Sequence, residues 1–364
     1  MSDASEGGGA DRGDGPDAES RVESADAVVV GCGPAGGAAG VFLARYGLDT
    51  VVFDRGSASL DRCAFLGNYP GFPAGIDVDT FQTLLREHAR EAGCEVVDDL
   101  VESVERATGA DPTDDDSADP TDDDSADPAD APLVVETQEG RRVVAERVVA
   151  ATRYTGEYCR PVTGDAMFET HEHDGETHEH VDPDYADADG RTPVEGLYVA
   201  SPAGQRDVQA VVAAGRGAHV ARTLLEDHRV ERGYPVDLAR HYDWLRPDSE
   251  FEGEWGDRER WREWFDERVP EDFEPEDADE PLADLREAYI DDAFATRRSP
   301  DDVADLTDRA HRRLLDHLDD DAVLERAAEI EAERADAAPD ADEPSEDATD
   351  GDGPSGTASA NRNH

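Results

Sequence analysis

The sequence contains no lysine. All 34 basic side chains are arginine, set against 91 aspartates and glutamates for a formal charge of −57. Without lysine, Schiff-base chemistry and a phosphate loop built on a lysine are excluded. So little cationic surface argues against nucleic acid, whose binding depends on counterion release, and against anionic membrane surfaces. Cysteine is also sparse. Cys32, Cys63, Cys94 and Cys159 are scattered, with no C-x-x-C and no paired metal spacing, which points to reduced thiols in a cytosol. Long apolar runs are missing: the uncharged stretch 27–44 is interrupted by Gly31, Gly33, Gly36, Gly37, Gly40 and Pro34. The first twenty residues have no apolar core, so no signal peptide is expected and the chain reads as soluble and cytoplasmic.

What is abundant is carboxylate. A charge of −57 strains a compact fold at ordinary salt, where screening extends about 8 Å, and is tolerable near molar salt, where it extends about 3 Å. The composition therefore predicts the carboxylate-rich surface of an extreme halophile. It says where the protein works rather than what it does.

With 364 residues the chain has room for two modest domains. Residues 1–23 are acidic and of low complexity and are expected to be disordered. Residues 25–30 suit a buried parallel strand, 31–47 a turn and helix, and 48–54 a second strand, together a βαβ start. Residues 80–93 have the apolar spacing of an amphipathic helix closed by Gly93, and 94–104 look like one strand. Residues 110–131 carry a twice-repeated acidic octapeptide with proline, expected to be a disordered insertion joining the strands on either side. Strands are expected at 142–151 and 196–200, and a helix from Gln209 to about residue 226. These complete a domain over 24–230. A helical region over 231–336 includes a helix beginning at Ser299 with the stripe Val303, Leu306, Ala310, Leu314 and Leu318, and 337–364 form an acidic disordered tail.

The strongest motif is Gly31-Cys32-Gly33-Pro34-Ala35-Gly36, placed after a strand and before a helix. Gly31 permits the tight turn, Gly33 lets a pyrophosphate approach the backbone, and Gly36 lets the helix pack on the strand. The helix N-terminus then offers free N–H groups and partial positive charge to phosphates. Asp54 ends the second strand, where a carboxylate can accept hydrogen bonds from a ribose diol, and Arg55 stands beside it.

With its Gly-Pro-Ala-Gly core, this segment resembles the FAD-binding start of the two-dinucleotide-domain flavoproteins. Residues 68–76, Asn-Tyr-Pro-Gly-Phe-Pro-Ala-Gly-Ile, are similar to the segment beside the flavin in thioredoxin reductases. Residues 148–152, ending in Ala151-Thr152, resemble the strand leading into that family's Ala-Thr-Gly turn. Residues 189–200 resemble its last FAD-binding strand, and Gln209-Ala210 the start of the helix facing the flavin ring. The resemblance covers about 24–108 and 132–228. It implies an α/β fold: a doubly wound FAD/NAD(P)-binding Rossmann-like domain with a C-terminal helical region. It also implies FAD as cofactor, held by Gly31, Gly33, Pro34, Ala35, Gly36, Asp54, Arg55, Asn68, Thr152, Gln209 and Ala210.

The departures from that family are specific. Only about forty residues separate Thr152 from Thr192, where thioredoxin reductases carry an NADPH-binding domain and a redox C-x-x-C. Arg153 replaces the glycine of the Ala-Thr-Gly turn, Ser201-Pro202 stands for Gly-Asp, and Val208 replaces an arginine. Disulfide exchange by the family mechanism is therefore not expected. The function implied is a FAD-dependent oxidoreductase whose electrons come from NAD(P)H or a redox protein, with a homodimer as the candidate assembly. The alternative is a catalytically silent module that holds FAD, NAD or ADP-ribose.

Three further features carry candidate chemistry. Cys63, before the flavin-proximal segment, is a candidate redox thiol; a disulfide would require it and Cys159 to lie within a Cα separation of about 7 Å. Residues 170–180 read as a hairpin turning at Asp174-Gly175, pairing His171 with His178 and His173 with Glu176. That register sets His171, His173, His178 and His180 on one face, a spacing able to hold Zn, Ni or Cu, although an exposed hairpin is the plainer reading. Trp261, Trp264 and Phe265, at helical spacing, are expected to pack an aromatic face on a neighbouring helix.

Overall fold

The computed structural model describes residues 22–56, 59–108, 131–153, 155–173, 176–204, 208–240, 242–273 and 281–337. The insertion expected at 110–131 lies outside the described residues except for Ala131, as do the tail beyond Ala337 and the N-terminus before Val22. The elements run β1 (Val22–Val30), α1 (Pro34–Arg45), β2 (Thr50–Phe53), α2 (Val78–Ala92), β3 (Glu95–Val97), β4 (Val101–Arg106), β5 (Leu133–Thr137) and β6 (Arg142–Ala151). They continue with α3 (Arg160–Thr163), β7 (Phe168–His173), β8 (Glu176–Val181), β9 (Leu197–Ser201), α4 (Ala210–Glu231), α5 (Val236–Ala239) and β10 (Arg246–Pro247). The last are α6 (Arg258–Asp266), α7 (Leu282–Ala295), β11 (Arg297–Arg298), α8 (Pro300–Leu315) and α9 (Asp320–Ala337). The chain divides into two units, residues 1–304 and 305–364.

In the first unit β3, β2, β1, β6 and β9 lie in parallel, in that order. β6 is long enough to serve two neighbours on the side away from β1. Its first half pairs antiparallel with β5, which pairs with β4, and its second half pairs with β9. The β-branched run of β1 explains its central place, since Ala27 and Val29 pack into a core shared with α1 and α4 while Val28 and Val30 face a second core on the opposite side. That second side is covered by β4, β5 and the segment carrying Tyr158, Cys159, Met167 and Val181. The fold is α/β with a Rossmann-like parallel core followed by helices.

Several boundaries differ from expectation for local reasons. β1 begins at Val22, inside the segment expected to be disordered, because Val22 to Ala25 pair with Arg142 to Ala145 of β6. The single strand expected over 94–104 is two strands in different parts of the sheet. The break falls at Asp98-Asp99, where the Leu100 N–H donates to Asp99 Oδ1 (2.7 Å). α2 starts at Val78 because Asp77 caps it, accepting from the Thr80 N–H, and it ends at Gly93 in left-handed backbone (φ 114°). α4 runs to Glu231, five residues past the expected end.

Residues 234–294 form their own aromatic core around Tyr234, Phe251, Trp261, Phe265, Tyr289 and Ile290. α6 packs Trp261 and Phe265 inward, with Trp264 stacked on Tyr289 of α7 (ring centroids 5.6 Å apart). Among the described residues no helix is long and apolar enough to cross a membrane.

Candidate functional site

The turn after β1 is built as its glycines suggest. Gly31 has φ +105°, and its N–H donates to the Phe53 carbonyl (2.7 Å), tying the turn to the end of β2. A Cβ on Gly36 would sit 1.7 Å from the Gly31 carbonyl oxygen, so only glycine closes the turn. A Cβ on Gly33 would meet nothing within 4 Å, so the backbone there faces open space.

That space is a cavity of about 310 Å³ at the C-terminal ends of β1, β2 and β6, within the size range of small-molecule sites. Gly31, Gly33, Pro34, Ala35, Asp54, Arg55, Thr152, Gln209 and Ala210 all line it. Gly36 sits behind the turn. Asn68 reaches the site through Gln209, donating from Nδ2 to Gln209 Oε1 (3.1 Å).

The polar lining is unusual for this chain. Among the described residues, Arg55, Arg62, Arg86 and Arg153 face the cavity with Asp54 and Asp99 as the acids, although acids outnumber arginines 91 to 34 overall. Helix starts repeat the pattern. α2, α6, α7, α8 and α9 each begin with acidic residues in the first turn, as the helix dipole favours. α1, α4 and the single-turn α3 have none, nor any side-chain cap, and of these the starts of α1 and α4 line the cavity. Their N–H groups and positive ends are left for an anion.

Asp54 does not stand free. Arg86 Nε donates to its Oδ2 (2.6 Å) and the Gly56 N–H to its Oδ1 (3.1 Å). Arg86 was not visible as a site residue in the sequence, because on an amphipathic helix its position reads as the solvated face. Thr152 Oγ1 hydrogen-bonds the Thr155 carbonyl and lies 3.1 Å from the Tyr158 hydroxyl, while its N–H donates to the Ser201 carbonyl (3.1 Å). Burial holds the Tyr158 phenol far above its ordinary range. Arg153 has φ +50°, the left-handed conformation that costs a non-glycine residue about 1–3 kcal/mol.

A second glycine missed in the sequence positions the site. α4 crosses α1 so closely that a Cβ on Gly217 would lie 1.8 Å from the Ala35 carbonyl oxygen. The signal was available, since glycine in a helix interior costs about 1 kcal/mol relative to alanine and needs a packing reason.

The thiols separate cleanly. Cys32 lines the cavity but is buried, and that burial, helped by the Asp54 charge, pushes it up to about 12. Cys159 is buried and likewise pushed up to about 12 by desolvation. Cys63 is exposed at the cavity lining, and all four cysteines are free. The hairpin has the expected register, His171 opposite His178 and His173 opposite Glu176, with Asp174 and Gly175 outside the described residues. His178 is exposed, and His180 Nε2 lies 3.4 Å from Glu169 Oε1. Among the described residues no group of three potential ligands converges on a metal position, and the side chains of His171 and His173 lie outside that description.

No protein-family model matches the chain. The chain is 35% identical over 74 residues to thioredoxin reductase of Aquifex aeolicus, covering 20% of this chain and 23% of that protein. It is 29% identical over 139 residues to NADPH-dependent thioredoxin reductase 3 of Arabidopsis thaliana, covering 36% and 22%. The chain thus spans under a quarter of the length of these curated relatives. Among solved structures it is similar to a thioredoxin reductase from Gloeobacter violaceus, with 16% identity, TM-score 0.41, and 57% and 95% of the two chains covered. For the T. acidophilum thioredoxin reductase the values are 16%, 0.40, 57% and 99%. Over the matched segments the sequence is thioredoxin reductase-like.

Proposed function

We propose that the chain is a FAD-dependent oxidoreductase similar to thioredoxin reductases, working in concentrated salt and lacking their NADPH domain and disulfide. The carrying observation is the cavity itself. In a chain of charge −57, two uncapped, acid-free helix starts and four arginines meet around one glycine turn. An anionic dinucleotide fits that donor set.

In this reading Gly31, Gly33 and Gly36, with the N–H groups opening α1, hold the pyrophosphate, and Arg55, Arg62, Arg86 and Arg153 balance its charge. Asp54 accepts from a ribose diol while Arg86 fixes its orientation. Gln209, steadied by Asn68, and the start of α4 place partial positive charge where a reduced flavin carries negative charge. Bound FAD would supply hydride and single-electron chemistry. The side chains bind, orient and neutralise; none of the buried thiols takes part in exchange, because each is held as the neutral thiol. The donor is free NAD(P)H or a protein partner, since 153–191 supply no second dinucleotide motif.

Purification in molar KCl followed by anaerobic addition of NADH, NADPH or a reduced carrier protein tests this. Bleaching of the flavin bands by one of them supports the oxidoreductase. Bound flavin that no donor reduces while dithionite does would establish the silent module instead.

A further inference from the structure

A carboxylate at the end of β2 repels a phosphate on the neighbouring ribose only while its own charge is uncompensated. In this chain it is compensated. Asp54 Oδ2 accepts from Arg86 Nε (2.6 Å) and Oδ1 from the Gly56 N–H (3.1 Å). Arg86 makes the contact through Nε alone, and among the described residues neither of its Nη groups has a hydrogen-bond or ion-pair partner. Arg86 lines the cavity, with Nη2 4.0 Å from the position a Cβ would take on Gly56, another lining residue. The two Nη groups form a planar fork matched to a pair of phosphate oxygens. That fork stands open beside a carboxylate already neutralised by the same guanidinium.

Arginine gathers at this end of the cavity. Arg55 and Arg62 follow β2 in the chain, and Arg86 is held to Asp54 at its end; Arg153 follows β6. Asp99, the other lining acid, follows β3 and accepts from the Leu100 N–H (2.7 Å). Three arginines against two aspartates leave positive charge where the adenosine ribose would lie, apart from Gly33 and the start of α1. An unmodified ribose diol is neutral and needs only the acceptor that Asp54 supplies. A phosphate on that ribose uses the cations as well.

Resting on the dinucleotide reading of the cavity given above, we propose that its adenosine end recognises a phosphomonoester on the ribose. Nucleotides of the NADP(H) or coenzyme A kind then occupy the cavity in competition with FAD. The Nη groups of Arg86 bind two phosphate oxygens, Arg55 adds charge, and Asp54 accepts from the hydroxyl that remains.

Equilibrium dialysis of the full chain, freed of flavin, in molar KCl tests this with two pairs of probes that differ only by the phosphate: NAD+ against NADP+, and dephospho-coenzyme A against coenzyme A. The phosphorylated member of at least one pair should bind about tenfold tighter. Preference in the first pair assigns the 2′ position, and preference in the second the 3′ position. Arg86→Leu should reverse the preference, because Asp54 then meets the phosphate uncompensated, whereas a purely structural arginine would weaken both members alike. Asp54→Asn, which keeps the fork, should widen the preference, and it decides the matter if Arg86→Leu fails to fold. Equal affinity within both pairs, or a phosphate preference that survives Arg86→Leu or vanishes in Asp54→Asn, would overturn the proposal while FAD uptake leaves the dinucleotide site standing. A chain that binds neither FAD nor any of the four probes would remove both.

Discussion

The two interior glycines of α4 give opposite predictions for the same substitution. At Gly215 a Cβ meets nothing within 4 Å, so Gly215→Ala gains helix propensity alone, up to about 1 kcal/mol. At Gly217 the new Cβ would lie 1.8, 2.6 and 2.9 Å from the carbonyl oxygen, carbonyl carbon and Cα of Ala35. Ordinary contact begins near 3.4 Å, so α4 must retreat from α1 by about 1.6 Å. The obstacle is backbone and cannot rotate away. Overpacking of this kind costs about 1–3 kcal/mol or more, which outweighs the propensity gain. Gly217→Ala should therefore lower unfolding stability by up to about 2 kcal/mol net. Since Ala35 and Ala210 both line the cavity, ligand affinity should fall as well. Urea denaturation in molar KCl, with and without FAD, reads both effects. A Gly217→Ala chain as stable as Gly215→Ala would refute the close crossing and with it the placement of α4 over the site.

Other consequences follow from the same structure. Arg153→Gly removes left-handed strain of about 1 kcal/mol or more, so the ligand-free chain should be no less stable in urea while FAD binds several-fold more weakly by fluorescence titration; unchanged affinity would remove Arg153 from the site. Burial lowers His88 and His228 below the ordinary value of 6.5. The unfolded chain then binds protons that the native chain refuses, so stability is complete above about pH 6.5 and declines as the pH falls through and below it. Replacing both histidines with glutamine should flatten that slope in urea titrations. Burial also pushes Cys32, Cys94 and Cys159 up to about 12, so a thiol reagent should titrate only Cys63 in the native chain and all four cysteines after unfolding.

Much of the first unit was legible because its signals are local. The β-branched run before Gly31, the three-glycine turn and the residues after it each depend on neighbours within a few positions. The hairpin register at His171 and His178 followed from its Asp-Gly turn, and the aromatic face of α6 from its spacing. What escaped was set at a distance. Arg86 and Asp54 are 32 positions apart and meet only because α2 lies beside the end of β2. Gly217 matters because α1 passes beneath it. The early start of β1 depends on the length of β6.

The most direct test is the visible spectrum and flavin content of the chain isolated in molar KCl, followed by equilibrium titration with FAD and with a Gly33→Val variant. The cavity as described predicts a yellow protein carrying or taking up about one FAD per chain, with the valine, projecting into the open space at Gly33, abolishing uptake. A colourless chain that takes up no FAD, or a Gly33→Val chain that binds it as well as the parent, would contradict the assignment.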